Sequence, residues 1–141
     1  MSQGLEVLDS TTHLTHEWIN ELAGRLSWGD RRQVLQLLRL TLAGIRDHVS
    51  HEEAAQFAAQ LPMLVRGLFY EGWRPAETPK HDRSRAGFLE AFDKHLGRDL
   101  EYRGEADIAE VFRMLEARIS PGEIRDIRDG LPAEIRALWP A

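Results

Sequence analysis

Cysteine is absent from the 141 residues of the sequence, which excludes disulfide bonds, thiolate metal sites and cysteine nucleophiles. No apolar run approaches the roughly 20 residues that cross a bilayer, and the first residues lack the basic start and apolar stretch of a secretory signal. A glycine-rich phosphate loop and a serine nucleophile elbow are also missing. We therefore expect a cytoplasmic protein without a membrane partner, and no pattern indicates an enzyme or a bound cofactor.

A strongly basic segment is likewise missing. The formal net charge is −5, and acidic and basic residues are mixed along the whole chain. Surfaces that bind nucleic acid carry a basic stripe, so a nucleic-acid partner is not expected. The length fits one domain that buries a core of its own.

The sequence does contain an internal repeat with an offset of 70 residues. Residues 61–69 resemble residues 131–139, and apolar positions coincide from residue 18 to residue 70 when they are paired with residues 88–140. This pattern predicts an all-α, single compact domain of two tandem four-helix repeats within residues 1–141. The first repeat covers about residues 12–73, a linker about residues 74–83, and the second repeat about residues 84–140.

Each repeat shows the start and stop signals of its helices. The first helix is predicted at about residues 15–26 and 86–96, and the second at about 30–49 and 106–119, because apolar residues recur there at helical spacing. Ser50 with Glu53 and Ser120 with Glu123 predict reciprocal capping boxes for the third helices. A Leu-Pro pair then bends the chain into a fourth helix with proline at its first position, and Gly130 is expected to form a left-handed stop.

The two second helices differ on one flank. Leu37 and Leu40 widen the apolar face of the first, whereas the matching positions of the other are Asp107 and Glu110. A helix that is apolar over more than half its circumference is covered on two sides. Either the other repeat covers Leu37 and Leu40, or the two leucines contact a partner chain.

Histidine offers the only weak candidates for a metal site. One group is His13, His16 and Glu17, whose spacing brings them to one helix face if that segment is helical. Because the first helix is expected to start close to residue 15, these side chains are better explained as caps or solvated groups. The second group lies at a helix junction and comprises His48, His51 and Glu52, without the second histidine of a zincin motif.

Four further side chains are candidate interaction residues. Arg66 and Arg136 occupy the same place in both repeats, where they either bind an anion or tie a helix end. Tyr70 and Trp73 either line a groove between the repeats that captures a peptide or fill the core.

Several of these segments resemble one known family. The similarity lies in residues 59–67 and 70–73, in residues 119–124 and 131–139, and in Thr15-His16-Glu17-Trp18. These motifs are similar to the bacterial domain of unknown function family 2267 over about residues 11–139. The resemblance implies an all-helical prokaryotic protein and transfers no activity and no catalytic residues. Thr41-Leu42-Ala43-Gly44 departs from the longer aliphatic series of that family.

Three functions are compatible with these observations. The first is a non-catalytic protein-interaction or scaffold module, such as a homodimer. The second is a small-molecule or metal-binding protein that uses the histidine and acidic groups. The third is a nucleic-acid-associated regulator, because paired helices with bent connections imitate a helix-turn-helix.

Overall fold

The computed structural model describes residues 4–140, and within this range it is all-helical, as predicted. Helices α1–α4 precede a short 3₁₀ turn at Pro75–Glu77, and α5–α8 follow it. The bounds are α1 Glu6–Leu26, α2 Arg31–His48, α3 His51–Ala58, α4 Met63–Tyr70, α5 Arg85–Leu96, α6 Glu105–Arg118, α7 Pro121–Gly130 and α8 Ala133–Arg136. No helix in the described range has the length and hydrophobicity of a membrane-spanning segment.

Helix α2 lies at the centre of the bundle. It packs against α1, α4, α5 and α6 and makes a smaller contact with α3. Leu37, Leu38 and Leu42 are fully buried, which agrees with the wide apolar face read from the sequence. At Gly44 the backbone comes so close to α5 that an added Cβ would lie 2.5 Å from Cε1 of Phe88. Glycine at this position therefore permits the close packing of α2 and α5.

Each capping serine makes only one of the two hydrogen bonds predicted for a capping box. The Oγ atoms of Ser50 and Ser120 accept from the backbone N–H groups of Glu53 and Glu123, at 3.1 and 3.4 Å. The reciprocal bond was wrong for both boxes: among the described residues neither glutamate accepts from the N–H of its serine, and the N–H of Ser120 donates to Oε1 of Gln60 instead. The Oε2 atoms of both glutamates are buried without a hydrogen-bond partner. The serines thus cap α3 and α7, while the two carboxylates remain incompletely satisfied.

Both Leu-Pro pairs separate a third helix from a fourth, which confirms the predicted bends. Pro62 and Pro132 are the cap residues of α4 and α8 rather than their first helical residues. The left-handed stop at Gly130 was wrong, because α7 includes Gly130 and its φ is not positive. The preceding carbonyls are satisfied by an arginine side chain instead, so no left-handed residue is required there.

The start of α1 also differs from the prediction. The helix begins at Glu6, about nine residues before the expected start near residue 15. Its cap residue, Leu5, makes no side-chain hydrogen bond, so the capping signal is missing at this end. The hydroxyl of Thr15, expected near the helix start, donates to the carbonyl of Thr11 inside the helix.

The linker is attached to the first half of the chain by Trp73 and His51. Nε1 of Trp73 donates to Oγ1 of Thr78 at 3.1 Å, and Nε2 of His51 lies 2.9 Å from the carbonyl oxygen of Thr78. The rings of Trp73 and His51 meet edge to face, 5.3 Å apart. One hydrophobic cluster includes residues from both halves. That the halves are copies of one unit stays a prediction.

Candidate functional site

The first histidine group lies on the exposed start of α1. Nε2 of His13 is 3.7 Å from Oε1 of Glu17, and the His13 side chain is 80% exposed. His16 is exposed as well. Between residues 4 and 140, no three or more histidine, aspartate or glutamate side chains are grouped to hold a metal ion. The structure therefore shows an exposed His-Glu pair here.

The second group, His48, His51 and Glu52, is divided between the core and the surface. The ring of His48 is buried; its Nδ1 is 2.7 Å from the carbonyl oxygen of Gly44, and its edge packs on Phe88. His51 bonds to the linker, and Glu52 is exposed. The two histidines thus take part in packing and linker attachment.

The leucine flank of α2 faces the interior of the single chain. Leu37 is fully buried, and Leu40 is partly buried against the hydrophobic core. At the matching positions of α6, Asp107 is fully buried and Glu110 is partly exposed. Leu37 is therefore not available to a partner while the chain is folded.

The repeated arginines tie helix ends. The guanidinium of Arg66 donates to the carbonyls of Ala58 and Leu61. That of Arg136 donates to the carbonyls of Arg128, Asp129 and Leu131. Each arginine thus satisfies carbonyls at the end of the preceding helix and the carbonyl of the leucine in the bend after it.

Tyr70 and Trp73 belong to an aromatic group at the end of α4. Tyr70 contacts Phe69 and Trp73, with ring centroids 5.0 and 5.2 Å apart. Both candidates thus make contacts within the chain. The buried side chain of Arg46 was not singled out from the sequence. It connects α2 to the end of α4 by donating to the carbonyls of Phe69 and Glu71.

A second polar contact that the sequence did not indicate joins α1 to α6. The carboxylate of Asp107 accepts from the backbone N–H of Arg103 at 2.6 Å and from its guanidinium at 2.8 and 3.1 Å. The same guanidinium donates to the carbonyl of Leu26 at the end of α1, at 2.7 Å. Asp107 is fully buried, so this ion pair fixes the end of α1 relative to the start of α6.

Exposed apolar side chains gather where the start of α1 passes the start of α4. The backbone N–H of Leu64 donates to Oγ1 of Thr11 at 3.0 Å, which brings the two helix segments into contact. Residues 5–10 are all exposed, so we call residues 6–10 of α1 the overhang. The α1–α4 apolar surface consists of Leu5, Val7 and Leu8, exposed by 67, 51 and 54%, with Met63 and Leu64, exposed by 56 and 46%.

This surface continues the buried stripe of α1. Val7, Leu8, Thr11, Leu14 and Trp18 follow one another at spacings that keep them on one helix face. Trp18 is buried, Leu14 packs on the core and Thr11 is half-buried. The face that packs on the bundle further along α1 is therefore uncovered in the overhang.

A comparison with known families identifies one match that covers most of the chain. The model of the family described as "Uncharacterized conserved protein (DUF2267)" matches residues 15–138. The chain belongs to the DUF2267 family. No curated protein matches the chain. Within the apolar surface, Met63 and Leu64 lie inside the part matched to DUF2267, and Leu5, Val7 and Leu8 lie before it.

A pH-dependent effect is expected at Glu123 in this DUF2267 protein. Burial raises the pKa of the Glu123 carboxyl above its usual value of 4.5, and the negative charges of Asp126 and Glu53 add to the shift. The folded state then binds this proton more tightly than the unfolded state, so the contribution to stability falls as pH rises from about 4.5 through the raised pKa. We expect Glu123→Gln to increase the free energy of unfolding at pH 7 by about 1 kcal/mol.

Urea denaturation at pH 7 and at about pH 3.5, which is below the usual glutamate pKa, checks this prediction. The gain should shrink at the lower pH, where the wild-type carboxyl is protonated as well. Glu90→Gln, on the exposed face of α5, is the matched control and should change stability little at either pH. A gain of equal size at both values would show that burial of the charge is not its cause.

Proposed function

We propose that this member of the DUF2267 family is a non-catalytic protein-interaction module, with the α1–α4 apolar surface as its contact surface. The observation that carries the proposal is the uncovered continuation of the α1 core stripe, beside two exposed apolar residues of α4. Clustered exposed apolar side chains are typical of association surfaces, whereas single ones are common everywhere. Leu100, fully exposed in the segment between α5 and α6, is such a single residue.

The start of α1 has little packing within the chain, because residues 5–10 are all exposed. A short helical extension without packing is marginal in water, and Leu5 supplies no side-chain cap. The overhang contains five residues, a length of about 7 Å along the helix axis. A partner that covers Val7 and Leu8 would provide the packing that the rest of α1 obtains from the bundle.

We infer that the partner is a second copy of the chain. Helix α1 has 21 residues and α5 has 12, so the second half has no equal overhang and each chain presents this surface once. A self-complementary surface present once per chain closes into a two-fold dimer rather than an open filament. Such a contact would cover the five large apolar side chains of each copy. That apolar core is the part of an interface that supplies most of the association energy.

Light scattering across a concentration series tests the homodimer. We expect the wild-type mass to rise from the 16.1 kDa of one chain toward twice that value between about 1 µM and about 1 mM, the range of weak to moderate association. Leu8→Glu combined with Leu64→Glu should keep the mass at one chain, because two charges would have to be desolvated in the contact.

Leu100→Glu is the matched control, since it adds the same charge to an exposed leucine outside the surface. It should associate as the wild type does. A wild-type mass of 16.1 kDa throughout the series would overturn the homodimer, and association that survives the double substitution would overturn the choice of surface.

Three finer points belong to the same proposal. We propose that the protein is one domain whose halves arose by tandem duplication, which the matching serine caps and arginine contacts of α3 and α7 support. We also propose that it acts in the cytoplasm. The net charge of −5 favours a protein partner over a nucleic acid.

A further inference from the structure

A cavity of about 480 Å³ lies in the second half of the chain. Most of its lining comes from helix α7, and Glu116 of α6 and Arg136 of α8 complete it. Its volume is within the range of small-molecule sites. Three of its side chains are arginines, namely Arg125, Arg128 and Arg136.

We propose that this cavity binds a small organic anion, a carboxylate or a phosphate ester. Its charged group would lie between Arg125 and Arg128, and its apolar part would lie against Ile124 and Pro121. Guanidinium groups bind both kinds of anion through paired, charge-assisted hydrogen bonds. The site is separate from the α1–α4 apolar surface and does not depend on the homodimer.

The arginines retain donors for such a ligand. The side chain of Arg125 has no hydrogen bond or ion pair with any other residue in the described range 4–140. Arg128 uses Nη1 for Oε1 of Glu116, at 3.3 Å, and its guanidinium lies over the ring of Trp139. Arg136 is fixed by three carbonyls through Nε and Nη2. The guanidinium of Arg125 is therefore unpaired, that of Arg128 is partly paired, and that of Arg136 is held in place by backbone carbonyls.

The acidic side chains of the cavity do not cancel this charge. Oε1 of Glu116 already accepts from Nε1 of Trp139 at 2.6 Å as well as from Arg128. Asp129 is exposed. With three arginines and these two carboxylates, the formal charge of the cavity is +1 (3 − 2), in a chain whose net charge is −5.

Helix architecture alone does not require these arginines. Counted from the capping serines Ser50 and Ser120, the positions of Arg125 and Arg128 in α7 correspond to Ala55 and Ala58 in α3. Helix α3 has the same cap and the same arginine contact at its end, with alanine at both positions. The two guanidiniums are thus a feature of the second half that the shared structure does not explain.

Titration of the full chain with small probes, followed by chemical shifts of its backbone amides, tests this site. We expect phenyl phosphate, benzoate or both to shift the amides of α7 in a saturable way below about 10 mM, while benzyl alcohol leaves them unchanged. The phosphate and carboxylate arms identify which anion the site prefers. Arg125→Gln should weaken binding about tenfold, because an exposed site loses one charged donor pair.

Arg32→Gln, which removes another exposed arginine outside the cavity, is the matched control and should leave the affinity unchanged. Because the Arg125 side chain makes no hydrogen bond or ion pair within the described residues, its substitution should leave the thermal unfolding midpoint unchanged as well. The proposal is overturned if neither anion shifts the α7 amides, if benzyl alcohol shifts them equally, or if Arg125→Gln binds as tightly as the wild type.

Discussion

Leu37→Glu is expected to prevent stable folding. Leu37 is fully buried at the centre of the bundle, where α2 contacts five other helices. A carboxylate placed there loses its hydration and gains no partner, which costs several kcal/mol. Because domains are stable by only about 5–15 kcal/mol, we expect loss of most of the helical circular dichroism signal at 25 °C, or a much lower midpoint in urea.

Leu40→Glu is the control for this experiment. Leu40 is three residues further along α2 and only partly buried, so its substitution should cost about 1 kcal/mol and leave the chain folded. The pair also decides between the two interpretations of the leucine flank. A folded Leu37→Glu variant that has lost only self-association would show that Leu37 contacts a partner chain and that the position of α2 is wrong.

Asp107→Ala should cause the second-largest loss of stability. The substitution leaves the N–H of Arg103 without its acceptor and releases the guanidinium that bonds to the carbonyl of Leu26. Removing one member of a buried pair costs about 3–5 kcal/mol. The Arg103 side chain is 56% exposed, so solvent screening reduces the expected loss to about 2 kcal/mol. Urea denaturation at pH 7 measures it.

Two further variants test whether the buried ion pair causes that loss of stability. Asp107→Asn keeps an acceptor for the Arg103 N–H and should lose only about half as much stability. Glu110→Ala removes a less buried carboxylate from the same helix and should cost less than about 1 kcal/mol. Equal losses for Asp107→Ala and Glu110→Ala would contradict the role assigned to the buried ion pair.

Features encoded by neighbouring residues could be predicted from the sequence. The serine caps of α3 and α7 depend on residues three positions apart, and the Leu-Pro bends depend on the steric effect of proline itself. The central position of α2 follows from the width of its apolar face, because a helix surrounded by apolar contacts has no side left for water.

The start of α1 was missed because it has no side-chain cap, which leaves only the acidic Glu6 and Asp9 of the first turn and the apolar spacing through Val7 and Leu8 as signals. The other two errors have a common physical cause, which is that distant contacts replaced the local signal. Gly130 needs no left-handed conformation, because Arg136 reaches back to the α7 carbonyls. Ser120 bonds to Gln60 across the molecule, a contact that no spacing along the chain predicts.

The candidate sites were less predictable than the fold. Asp107 reads as a surface residue until Arg103, four residues earlier, and the carbonyl of Leu26, far away in sequence, are brought beside it. The α1–α4 apolar surface joins segments more than fifty residues apart. Side chains from three helices form the arginine cavity, although Arg136 alone could be singled out from the repeat.

Hydrogen exchange of the overhang amides at two protein concentrations tests the proposed contact surface most directly. Unpacked helix ends exchange quickly, and coverage by a partner slows them. If a second copy covers this surface, exchange at residues 8–10 of the overhang should slow as the concentration rises through the association range, while residues 97–104 around Leu100 should exchange at a constant rate. Rates at residues 8–10 that do not depend on concentration would contradict the assignment of this surface.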